Sequence, residues 1–141
     1  MRMSRWAGAR TWREPLLLIL HFSYAFIPLG FILAGISSLW PEAMPASAAL
    51  HACTTGAIGV MTLAVMTRAS LGHTGRILCA DMATKIIFIA VIIAALTRVV
   101  APLLPAVALP LLVASLVGWI VAFGGFVLRY GAILIRPRIQ S

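Results

Sequence analysis

The segment GAIGVMTLAVMTRASLGHTGR, Gly56 to Arg76, begins as an apolar run that a bilayer accepts and ends in Arg68, His73 and Arg76. Extended backwards through the uncharged residues from Ala48, it is long enough to cross about 30 Å of hydrocarbon at 1.5 Å per residue. Its small residues, threonines and methionines then have to be explained inside a membrane rather than in a soluble core. The rest of the chain agrees with that setting. With 62% hydrophobic and only 10% charged residues, the sequence cannot be divided between a dry inside and a wet outside. The chain reads as an all-α integral membrane protein, and 141 residues leave no room for a soluble domain besides its spans.

Hydropathy and turn residues predict four transmembrane helices, at residues 15–39, 48–70, 80–103 and 106–135. WPEAMPAS (Trp40–Ser47) and APLLP (Ala101–Pro105) read as tight hairpin turns, while LGHTGRILCAD (Leu71–Asp81) holds two glycines and most of the polar residues between spans. Within the fourth run, Pro110 and GWIVAFGG (Gly118–Gly125) invite a kink or close packing, and Trp119 lies deep. Trp6, Trp12, Trp40 and Tyr130 stand where interfacial aromatics are expected.

Charge orients the bundle, because lysine and arginine are retained on the cytoplasmic side. Arg2, Arg5, Arg10 and Arg13 precede the first span, Arg68, Arg76 and Lys85 flank the middle loop, and Arg129, Arg136 and Arg138 close the last. Only Arg98 falls on the other side, so both termini are expected in the cytoplasm, as an even number of spans requires. The net charge of +8 is thereby topology information and an attraction to anionic lipid, not a nucleic-acid signal. The basic N-terminus before PLLLIL could also open a signal peptide, but the apolar run continues past His21, too far for a signal core. Cys53 and Cys79 lie about a membrane's thickness apart, which excludes a disulfide between them.

Polar residues inside a membrane need a partner or a function. His21 lies about 9 Å into the first span, with Tyr24 a turn along on the same side; it can bond a neighbouring helix or ligate a metal or haem. On a helical wheel His51, Thr55, Ile58, Thr62, Met66 and Ala69 share one side of the second span, and this stripe is expected to face an interior. Gly56, Gly59, Leu63 and Ser70 form a smoother strip that lets another helix approach. The plainer account of the stripe is that threonines bond back to their own helix and methionines fill gaps. His73 and Arg76 belong to a glycine-bracketed turn that is either a helix C-cap or a donor-rich site for a metal or a propionate. His21 and His51 differ by roughly 15 Å in depth and cannot both ligate one haem; His21 with His73 is the more feasible pair.

Three segments, EPLLLILHFSYAFIPLG (Glu14–Gly30), LHACTTGAIGVMTLAVMTRASLGHTGR (Leu50–Arg76) and GAILIRPR (Gly131–Arg138), follow one another as in the C-terminal part of NnrS proteins, and the chain resembles that family along essentially its whole length. The resemblance implies a bacterial inner-membrane protein that contains haem and copper and is linked to nitric oxide and nitrosative stress. Matched residue by residue, it leaves His21, His51 and His73 as candidate ligands; the residue pattern adds Tyr24 and Arg76 to His21 and His73 as a haem-side set, and Met66, with Met61, to His51 as copper donors, copper suiting histidine together with methionine sulfur. Typical members are longer and carry further histidines in a preceding part. The resemblance is therefore compatible with a short member that dimerises to rebuild a site, with half of a split protein that meets a second membrane subunit, or with a truncated copy lacking cofactor.

No catalytic triad, phosphate loop or carboxylate pair is present; Glu14, Glu42 and Asp81 all lie near span ends, so enzymatic turnover is not indicated. Two alternatives come from other classes. A small dimeric four-span transporter would have to relay protons through His21 in place of a carboxylate within a span. A structural subunit would pack on a larger partner through Gly56 and Gly59.

Overall fold

The structure, a computed structural model, describes residues 14–135 and 137. Arg2, Arg5, Arg10, Arg13, Trp6, Trp12, Arg136 and Arg138 lie outside the described residues. Among those described there are helices and no strands. Four helices, α1 (Pro15–Leu39), α2 (Ala46–His73), α3 (Met82–Leu103) and α4 (Pro105–Leu134), are each long and apolar enough to cross a membrane.

Local chemistry sets where each helix begins and ends. Pro15 takes the first position of α1, where its missing N–H costs nothing, and the Glu14 carbonyl accepts from Leu17 and Leu18. The Trp40 carbonyl then accepts from Ala43 and Met44, closing a tight turn before α2. The far end of α2 is a Schellman motif: Arg76 N–H reaches back to the Leu71 carbonyl, Gly75 N–H to that of Gly72, and Gly75 adopts φ 71°, open to glycine at little cost. Helix α2 accordingly runs to His73, three residues past its predicted end. Asp81 caps α3 by accepting the Thr84 N–H at 2.8 Å, which starts this helix at Met82 rather than at Ala80. Short 3₁₀ turns at Ala101–Leu103 and Pro105–Val107 make the hairpin into α4.

Antiparallel neighbours are held in register by small residues. A methyl group on Gly30 would collide with Cys53 Sγ and one on Gly56 with the Phe26 ring, while Ser23 Oγ bonds Met61 Sδ at 3.3 Å. Between α3 and α4, buried Ser115 donates to the Ala94 carbonyl at 2.9 Å, and a methyl on Gly118 would come within 2.9 Å of the Ala90 carbonyl oxygen. Gly59 receives the Trp119 indole from α4: a methyl there would lie 2.6 Å from Cη2. Trp119 also stacks on Phe123, ring centroids 4.7 Å apart, which explains a tryptophan so deep in the span.

Two helices contain a stretch of wide π turns, Ala52–Gly59 in α2 and Ile120–Gly124 in α4, the latter inside GWIVAFGG. Wider turns advance each residue by less than 100° and so rotate everything beyond them. The stripe expected to face an interior is corrected on this point. Ile58 is 64% and Met66 38% exposed, and Thr62 is also exposed, whereas Gly56, Gly59, Leu63 and Ser70 are buried. Close approach at the small residues is the physical cause, since it lets α1 and α4 cover that side and leaves the other to the surroundings. Tyr130 stands near the end of its span, but its ring turns into the bundle and is 2% exposed.

Candidate functional site

The α1/α2 register determines which histidines can meet. Ser23 stands opposite Met61 and Phe26 opposite Gly56, so His21 stands near the level of Thr62. His51 and His73 each lie about eleven residues of helix from that level, about 16 Å in opposite directions. His21 and His73 are therefore not at one depth, contrary to their expected pairing, because α2 carries His73 well below the level of His21. His51 and Met66 are separated by fifteen residues, about 22 Å of helix, and do not converge either. Among the described residues no three of His, Cys, Asp or Glu group to hold a metal.

Each candidate has its own setting. His21 is half-buried, and its Nδ1 bonds the Leu17 carbonyl at 2.8 Å. A carbonyl only accepts, so Nδ1 is the donor, while Nε2 is enclosed. The buried face of α1 is formed by Leu16, Ile19, Ser23, Phe26, Gly30 and Leu33, and His21 lies roughly 160° from both Ile19 and Ser23. It belongs to the face of α1 turned away from the other helices, as does Tyr24, which is 47% exposed. His51 is half-buried, and its carbonyl accepts from Thr55 Oγ1 at 2.6 Å; Thr54 bonds back to Leu50 in the same way. His73 is exposed at the Schellman turn. Arg76 is half-buried with its Nη1 covered and lacking a hydrogen-bond partner among the described residues, as does the fully buried Thr67 hydroxyl.

The best-ordered polar constellation is one the sequence reading did not single out. Asp81 Oδ1 accepts from both the N–H and the hydroxyl of Thr84, and the Thr84 hydroxyl bonds the Tyr130 hydroxyl at 2.5 Å. Asp81 Oδ2 accepts from Arg129 Nε at 3.0 Å and Nη2 at 2.8 Å, and the guanidinium lies 5.9 Å from the Tyr130 ring centroid. The Thr84 hydrogen bonds, and then Arg129, bring the Asp81 carboxyl down to about 2. This is a permanently charged clamp on the ends of α3 and α4, built to hold geometry and not to exchange protons near neutrality. Its sequence signal was the pattern Asp81-x-x-Thr84 before an apolar run, a helix N-cap. Arg129 and Tyr130, 48 and 49 residues further on, carried no such signal.

A family model described as NnrS protein matches residues 1–138. Comparison with curated proteins and with solved structures gave no match.

Proposed function

The chain belongs to the NnrS family, and on that premise we propose that it is a multi-pass protein of the bacterial inner membrane that supplies histidine ligation to a haem or copper site used in the response to nitric oxide. Both termini are cytoplasmic in this reading, because Arg68, Arg76, Lys85 and Arg129 gather at one end of the described bundle and Arg98 stands alone at the other.

The observation that carries the reading is the His21 ring. Metal-ligating histidines characteristically donate their other N–H to a carbonyl or carboxylate, which fixes the tautomer and raises the basicity of the ligating nitrogen. Leu17 plays that part here, which leaves Nε2, an enclosed atom, as the nitrogen His21 would offer a metal. Among the described residues His51 and His73 do not join His21, since each is displaced by about 16 Å along the helix axis. Further ligands come from outside the four described helices, which makes a second copy or a second membrane subunit part of the proposal. A bound haem iron or copper supplies the centre that holds nitric oxide. This chain's residues orient the imidazole and keep a proton on Nδ1 through the Leu17 carbonyl.

The test is an absorption spectrum, oxidised and reduced, with metal analysis, on protein purified from membranes of cells supplied with haem and copper. The expected result is a haem or copper signal that His21→Ala abolishes and His51→Ala leaves in place. A folded preparation with neither group, or a signal indifferent to His21→Ala, overturns the reading.

A further inference from the structure

A narrow groove of about 350 Å³ runs between α1 and α3, and its lining is apolar except at one end. Ile19 and Phe88, 2% and 4% exposed, form its floor, and Phe22 stands on its rim. Pro15, the first residue of α1, and Lys85, one turn into α3, mark the end at which α1 begins; Ile92 lies two turns deeper. From Lys85 to Ile92 the groove covers about 10 Å of helix rise, all on the hydrocarbon side of its one charge.

The charge at the mouth has no counterion among the described residues. Asp81 is four residues from Lys85, the spacing at which a helical ion pair forms, but both its carboxylate oxygens are taken by Thr84 and Arg129. Glu14, the other described carboxylate at this end of the bundle, forms no ion pair with Lys85, and Asp81–Arg129 is the single salt bridge among the described residues. The clamp that staples α3 to α4 therefore leaves the Lys85 ammonium uncompensated at the head-group level, above an apolar channel. A lysine one turn inside a span extends its stem toward the interface, where phosphate oxygens lie.

We propose that this groove is a binding site for one anionic phospholipid, with the phosphate on the Lys85 ammonium and an acyl chain along the channel between Ile19 and Phe88. The volume, near the lower end for small-ligand sites, suits a single chain. The charge selects an anionic headgroup over a zwitterionic one, because only the former brings a net negative charge to the ammonium.

The experiment reconstitutes the protein in nanodiscs of equimolar phosphatidylglycerol and phosphatidylcholine and counts, by native mass spectrometry, the lipid retained after release. One retained phosphatidylglycerol per chain, favoured about fivefold over phosphatidylcholine, is expected from a single basic residue at the head-group level. Lys85→Gln should bring the two lipids to parity, Lys85→Arg should keep the preference, and Arg68→Gln, which does not line the groove, should leave it unchanged. Ile92→Trp should reduce retention of both lipids by filling the channel. Circular dichroism and gel filtration confirm that each variant is folded, and Lys85→Gln alters an exposed residue, so it decides the question even where Ile92→Trp does not fold. Equal retention of the two lipids by the unaltered protein, or equal losses in Lys85→Gln and Arg68→Gln, overturns the proposal, the latter by showing a diffuse field and not a site.

Discussion

Gly59 lacks a side chain, and the Trp119 indole occupies the space a methyl group would need. Gly59→Ala should lower stability by roughly 1–3 kcal/mol, the usual cost of overpacking a close contact. Gly35, with nothing within 4 Å of a built methyl, should accept alanine with an unchanged or slightly raised thermal midpoint. Thermal unfolding in one detergent compares the two, and equal losses would show that Trp119 is not seated on Gly59. Asp81 gives the pH dependence at this scale. Its carboxyl is held at about 2 against an ordinary 3.8, so the folded state binds the proton less readily than the unfolded one. The clamp's contribution is accordingly complete above about pH 4 and is lost as pH falls through 2. The pair is nearly half exposed, so the effect is modest. Asp81→Asn should remove the pH-dependent part, measured as the loss of slope in stability between pH 4 and 2.

Helix α2 carries wide turns at Ala52–Gly59 within its buried face. Such turns arise where a helix carries a residue more than the α ladder accommodates, and they concentrate at functional sites. Deleting Ile58, which is exposed and packs little, should restore α geometry and leave the lower half of α2 in nearly the same phase, because the wide turns are what absorb the extra residue. Leu63 and Thr67 would then stay in the interface and the deletion should remain monodisperse, whereas deleting Val65, exposed in a regular α turn, should rotate the helix beyond it by about 100° and fail to give a stable protein. Gel filtration with thermal unfolding distinguishes them. The glycine strip of this helix was legible because small residues announce close packing. Which way the histidine and methionine stripe faced was not, because a wheel sorts residues by side but does not say which side the neighbouring helices cover.

At the scale of the molecule, the described residues form four apolar helices whose positive charges gather mostly at one end, and the two cysteines report on that asymmetry. Both are free: Cys79 is exposed beyond α2, while Cys53 has its sulfur against Gly30. In a Cys53→Ser background, a membrane-impermeant maleimide should label Cys79 in inverted vesicles and not in spheroplasts. The opposite pattern would reverse the proposed orientation. At this scale too the histidines separate into three levels, which is why a cofactor site on this chain is assigned a contribution from a second one.

Hydropathy, proline and glycine placement, and the long mixed motifs were enough to determine four helices, their turns and the family, because each is a local property of chain solvation and backbone geometry. The Schellman turn at Gly75 and the cap at Asp81 were local as well, and each altered a helix end by only a few residues. Only the tertiary structure decided that Met66 faces outward, that Tyr130 and Arg129 close on Thr84 and Asp81, that Trp119 sits on Gly59, and that His21 and His73 lie at different depths. Those outcomes depend on the phase of one helix against another, which widened turns and interhelical register set through packing over distances that no sequence window spans.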